Sequence, residues 1–193
     1  MWFKSLFYKL KRYFYPMDNI ITIKGRIEFD PKDYTAKHSK QSSWKRIAMI
    51  MFDGDICEYY SWFIKKRFNL PLTKPLRGAH ISFINDRESD TNGKWNEVKK
   101  KWDGKEIEVT LSVDVRTDGK HWWFIIPEEH RTQIHGIRAE LGMGRPFYGL
   151  HMSLGYVQDS DDTDPEITGK KAKRMNVEHS KYIHELIKKG YIR

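Results

Sequence analysis

Gly78-Ala79-His80-Ile81-Ser82-Phe83 and Gly149-Leu150-His151-Met152-Ser153-Leu154 follow one grammar: glycine, apolar, histidine, apolar, serine, apolar. Strict alternation predicts two half-buried strands, because successive strand side chains point to opposite faces. Ala79, Ile81 and Phe83 then face a core while His80 and Ser82 face away. Leu150, Met152 and Leu154 likewise lie opposite His151 and Ser153. Each strand thus presents an imidazole beside a hydroxyl. The glycine two residues before each histidine has no side chain, which leaves room for a ligand beside the ring. With eight histidines in the chain, about one His-x-Ser/Thr triplet is expected by chance at ordinary composition. A third triplet, His130-Arg131-Thr132, lacks the apolar flanks and is assigned to background. Two triplets with all three flanks apolar amount to a coincidence of roughly one in a thousand.

Working outward, residues 46–52 read as a strand and 53–68 as a helix that Asp53 could cap. A Pro71 to Pro75 connection then leads into the strand at 79–84. Residues 106–115 alternate, with Ile107, Val109, Leu111, Val113 and Val115 on one face. Asp118-Gly119 signals a hairpin into a strand at 122–126. Pro127 opens a helix at 128–141, followed by a glycine-bearing connection and a strand at 150–157. Strand, helix, loop, strand therefore occurs twice, which suggests internal pseudo-symmetry with halves at about 46–84 and 106–157. Residues 20–29 are β-branched and read as a further strand, and 30–43 as loop. At the start, Phe3, Phe7, Leu10 and Phe14 recur at helical spacing among Lys4, Lys9, Lys11 and Arg12. Residues 1–17 are expected to form a basic amphipathic helix, packed on its own domain or touching an anionic membrane or partner through 1–16. Residues 18–193 make one two-lobed domain, with a polar loop at 158–176 and a short helix at 178–189.

The 193 residues, 39% of them hydrophobic, suffice for one core rather than two. A net charge of +9 favours polyanionic partners such as nucleotides, nucleic acid or anionic lipid. A single cysteine, Cys57, excludes an internal disulfide and a cysteine zinc cluster, and points to a reducing, cytoplasmic setting. No run of 18 apolar residues occurs, so no transmembrane helix is expected. The four early lysine and arginine residues break any signal-peptide core.

The paired His-x-Ser strands resemble those of the two-histidine (2H) phosphoesterase superfamily, the LigT-like cyclic phosphodiesterases and their RNA-ligase-like relatives. The resemblance spans about residues 46–157. It implies an α+β, bilobal, pseudo-symmetric domain with two antiparallel sheets flanking a central cleft and helices outside. It also implies that His80 and His151 are the catalytic pair, that Ser82 and Ser153 hold phosphate, and that no metal or other cofactor is needed. Members of the superfamily open 2′,3′-cyclic phosphates or cleave 2′-5′ oligonucleotides, and some viral relatives destroy cyclic oligonucleotide immune signals.

The chemistry of the residues agrees. Cleaving a phosphodiester without a metal takes a base for the attacking hydroxyl or water, an acid for the leaving oxygen, and donors for the phosphoryl oxygens. Two histidines with an ordinary pKa of about 6.5 can divide those duties near neutrality. The sequence does not say which is base and which is acid. Arg145, Phe147 and Tyr148 upstream of His151 are expected to bind phosphate or stack on a base, and Trp123 to stack. Trp44, Trp122 and Arg77 are weaker candidates. In an extended segment Arg145 shares the face of His151, whereas Arg77 lies opposite His80. A dedicated zinc site is disfavoured, since no H-E-x-x-H helix is present. The expected substrate is a small cyclic nucleotide, a cyclic oligonucleotide or short RNA. The alternatives are an RNA-end 2′,3′-cyclic or 2′-5′ phosphodiesterase, and a non-catalytic nucleotide- or RNA-binding module.

Overall fold

Alternating burial builds the sheet on which everything else is placed. A computed structural model describes residues 19–31, 46–70, 72–75, 77–85, 92–146, 148–157, 185–186 and 188–191. The expected amphipathic start and the 158–176 loop lie outside these residues, as does most of the 178–189 helix. The long strand β1 (Ile20–Phe29) buries Ile21, Ile23, Ile27 and Phe29 and exposes Thr22, Lys24 and Arg26. Six more strands follow: β2 (Ala48–Met51), β3 (Leu72–Thr73), β4 (His80–Ile84), β5 (Glu106–Thr117), β6 (His121–Ile125) and β7 (His151–Val157). All pair antiparallel, in the order β3-β7-β6-β5-β1-β2-β4.

Apart from the two-residue β3, this order is symmetric about the β1–β5 pair. On one side stand β4, β2 and β1; on the other stand β7, β6 and β5. Each set runs strand, strand, helix, strand along the chain. The repeated element order read in the sequence is therefore present, and the two His-x-Ser strands hold equivalent places in it. Two separate sheets were expected, but the described strands form one. The reason is the central ladder, which pairs β1 with β5 continuously from Ile20 opposite Ser112 to Arg26 opposite Glu106. The Thr22 and Thr110 hydroxyls, 2.9 Å apart, bond across it. The sheet curls, so that β4 and β7 come within 8 Å, Cα to Cα, although neither bonds to the other in the sheet.

Helices α1 (Asp55–Phe68), α2 (Trp95–Trp102) and α3 (Thr132–Glu140) complete an α+β fold. Ile56, Tyr60 and Ile64 recur every four residues on the buried stripe of α1, and Tyr60 meets Phe124 of β6 edge-on at 4.7 Å. The N-cap of α1 is Gly54 with no side-chain cap, not Asp53. Asn69, with φ 54°, ends this helix in the left-handed conformation that asparagine tolerates. The helix expected at 128–141 begins only at Thr132, after a 3-10 turn at Glu128–His130. There the Arg131 Nε–H donates to the Ile126 carbonyl at 2.8 Å, which holds the chain in the turn.

Helix α2 was not anticipated. Only its Trp95 and Val98 are buried, and its other positions are mostly lysine and polar residues. It is fastened from a distance, by Trp95 Nε1–H and Lys99 Nζ donating to Asp30 Oδ2 at 3.1 and 2.9 Å. Its far end reaches α3, where Lys101 and Trp102 donate to the two carboxylate oxygens of Glu140 at 2.8 and 3.2 Å. No helix among the described residues is long and apolar enough to cross a membrane.

Candidate active site

The alternation that defines the two motifs is realised in full. Ala79, Ile81, Phe83, Leu150, Met152 and Leu154 are all buried, while His80, Ser82 and Ser153 are half-buried and His151 is exposed. Strands β4 and β7 therefore carry their histidines and serines on the non-core side. The curl of the sheet brings the two histidines close enough for the charge on one to be felt at the other.

Both rings are fixed in the same way. His80 Nδ1–H donates to the Gly78 carbonyl at 3.0 Å, and His151 Nδ1–H to the Gly149 carbonyl at 2.7 Å. A carbonyl can only accept, so the proton on Nδ1 is obligatory and Nε2 is left to take or give a proton. The glycines thus contribute their backbone oxygen as well as space. A Cβ at either would meet nothing within 4 Å. Gly78 precedes β4 instead of lying in it. It closes a turn with its N–H on the Pro75 carbonyl at 3.0 Å and has φ +66°, a conformation side-chain-bearing residues rarely adopt.

Burial lowers the pKa of His80 below its ordinary value of 6.5, and the charges of Arg77 and His151 lower it further against the opposing bond to Gly78. At neutral pH His80 is accordingly an uncharged imidazole with a free Nε2 lone pair.

Each motif strand is braced by the helix of the opposite half. From α1, the Ser61 hydroxyl donates to the Leu154 carbonyl at 2.8 Å, and the Cys57 thiol lies 3.5 Å from the Ser153 carbonyl. From α3, Arg138 donates through one terminal nitrogen to the Phe83 carbonyl at 2.5 Å and through Nε to the Gly144 carbonyl at 2.8 Å. Phe83 and Leu154 both follow the motif serine, so the two braces grip equivalent positions. Arg138 is only 1% exposed, and a guanidinium so deep is tolerated because backbone oxygens take its protons. Neither Ser61 nor Arg138 was singled out from sequence. Burial pushes the Cys57 thiol up to about 12, aided by Glu58, which makes it a structural group and not a nucleophile.

The expected substrate residues divide. Trp123 lies beside the site: it stands opposite Ser153 across the β6–β7 ladder, and its ring meets that of His151 at 6.4 Å and 65°. Arg145 is largely exposed and paired with Glu128 at 2.8 Å. The chain at 144–146 and at 148–150 is irregular, with β7 beginning at His151, so the parity that favoured Arg145 has no strand to act on. Arg77 instead is the cation whose charge reaches His80. Tyr148 is half-buried and packs against the core. Trp122 is wholly buried. Phe147 and Trp44 lie outside the described residues. Among the described residues no three His, Cys, Asp or Glu side chains cluster to hold a metal ion. Compared with family models, curated proteins and solved structures, the chain has no match.

Proposed function

We propose that this chain is a metal-independent phosphodiesterase of the two-histidine type, built as a bilobal, pseudo-symmetric domain. It would act on a phosphodiester in a small cyclic nucleotide, a cyclic oligonucleotide or short RNA. The observation that carries the reading is the pair of equivalent strands, β4 and β7, each offering a histidine with Nδ1–H bound to carbonyl and Nε2 free, beside a serine hydroxyl.

The electrostatics support a division of labour. His80, neutral and half-buried, is the general base: its Nε2 takes the proton of the attacking hydroxyl, either a ribose 2′-hydroxyl or water. His151, exposed across the cleft, is the general acid and protonates the departing oxygen. Ser82 and Ser153 donate to the phosphoryl oxygens as negative charge grows on them. The carbonyl bonds keep each ring from turning, so both Nε2 atoms stay aimed at the reacting phosphate.

A mass-spectrometric cleavage screen in excess EDTA tests this. It covers 2′,3′-cyclic nucleotides, 2′-5′ oligoadenylates, cyclic dinucleotides and short RNA, with His80→Ala and His151→Ala proteins alongside. Cleavage of at least one substrate, lost in both variants, is the expected result. Turnover that survives both substitutions would sink the reading.

A further inference from the structure

The lanes that run across the sheet from the two motifs differ in what they offer a ligand. In the second half, Ser153 of β7 stands opposite Trp123 of β6, and Trp123 stands opposite Arg116 of β5. Serine, tryptophan and arginine therefore lie in one row at right angles to the strands, with Arg116 two strand spacings, roughly 10 Å, from Ser153. Trp123 is half-buried and Arg116 exposed. The carboxylates nearest to Arg116 along the chain are engaged elsewhere, Asp114 by Asn19 at 2.7 Å and Asp118 by His121 at 3.0 Å. No carboxylate among the described residues pairs with the guanidinium. The equivalent row in the first half runs from Ser82 to Met49 to Glu28, and Met49 is buried. That row offers neither an open ring nor a cation, and ends on a negative charge.

We propose that Trp123 and Arg116 form a second subsite, which takes a nucleobase and then the next phosphate of a dinucleotide or longer oligonucleotide. The inference rests on the phosphodiesterase reading only for the position of the scissile phosphate, beside Ser153. From there a base meets the Trp123 ring, which serves any base because each has a π face. A group beyond the ring meets a guanidinium whose planar fork suits phosphate oxygens. A lone mononucleotide ends at Trp123 and leaves Arg116 unused, so the substrate class is one with two phosphates in series. The Glu28 row would repel the same phosphate, and this polarity fixes the direction in which the ligand lies across an otherwise repeated site.

The test is calorimetric binding to the His80→Ala protein, which keeps ligands uncleaved. The probes are a diadenosine monophosphate and its 5′- and 3′-phosphorylated forms, with Arg116→Gln, Trp123→Ala or Glu28→Gln added in turn. At least one terminal phosphate should tighten binding about tenfold, as one charge-assisted contact can. Arg116→Gln should erase that gain while leaving the unphosphorylated dinucleotide unchanged. Trp123→Ala should weaken all three probes about tenfold, and Glu28→Gln should weaken none. An equal gain from the terminal phosphate with and without Arg116 would overturn the subsite, whatever the cleavage screen shows. A phosphate gain that depends on Arg116 would support it even in a protein that cleaves nothing, so the two readings fail separately.

Discussion

The two halves share a chain path, a histidine, a serine and a bracing bond, yet they differ in the strand beside each motif. Next to β4 lie Met49 and Met51; next to β7 lie Trp123 and Ile125. What repeats is the carbonyl-held histidine with its serine, which on the proposed reading would be the acid–base and phosphate-holding equipment, usable by a symmetric phosphate group from either side. What does not repeat is the surface that would distinguish one substituent of that phosphate from the other. The burial of the rings differs in the same sense, His80 being half-buried and held neutral while His151 is open to solvent.

The largest test of this comparison is on the histidines themselves. If both act in the chemical step, His80→Ala and His151→Ala should each lower kcat by about 10²–10⁴ with the thermal midpoint little changed. Steady-state kinetics beside a melting curve checks this, and loss in only one variant would break the equivalence of the halves. The serines come next. Ser82→Ala and Ser153→Ala should each cost about a hundredfold in kcat, the loss of one donor to a developing oxyanion. A serine whose loss leaves kcat unchanged would mean that only the other one touches the reacting group.

The braces should be unequal, although they grip equivalent carbonyls. Arg138→Met should lower stability by about 2–4 kcal/mol in denaturant titration, since it leaves the Phe83 carbonyl buried without its charged donor and also removes the bond to the Gly144 carbonyl. Ser61→Ala should cost only about 1 kcal/mol. Similar losses would show that charge adds nothing to the Arg138 brace.

The smallest effect concerns pH. His80 has a lower pKa folded than unfolded, so below its ordinary value of 6.5 the unfolded chain takes up the proton first. The stability that this neutral ring contributes is complete above that value. It is lost progressively as pH falls toward the folded pKa, and no further loss comes below it. His80→Gln should flatten that part of the pH–stability curve, as followed by chemical unfolding between neutrality and mild acid. An unchanged slope would mean that burial does not disfavour the protonated form of the His80 ring.

The motif strands were legible because period-two alternation is written locally: Ala79-His80-Ile81-Ser82-Phe83 declares its two faces without reference to anything else. The Asp118-Gly119 hairpin was legible for the same reason, since Gly119 with φ 96° and Asp118 receiving the Lys120 and His121 amides make the turn from within four residues. Helix α2 was not legible, because what holds Trp95 and Lys99 is Asp30, some 65 residues earlier. Nor was the single sheet, which depends on β1 choosing β5 as its partner. Arg138 reads in sequence as one more solvated cation on an amphipathic helix, and its burial follows only from the Phe83 carbonyl it meets in the fold. Local chemistry was readable, then, and long-range partnership was not.

The crosswise braces also bear on how the chain reaches its native state. Ser61 finds Leu154 over 93 residues and Arg138 finds Phe83 over 55, and the central ladder joins strands nearly as remote. Such contacts reward the chain only after large loops have closed, so folding should be slow for a domain of this size and should complete both motif strands together. A ribosome-bound chain that has not yet released Leu154 can hold neither brace from α1, and the histidine pair is therefore among the last features to assemble.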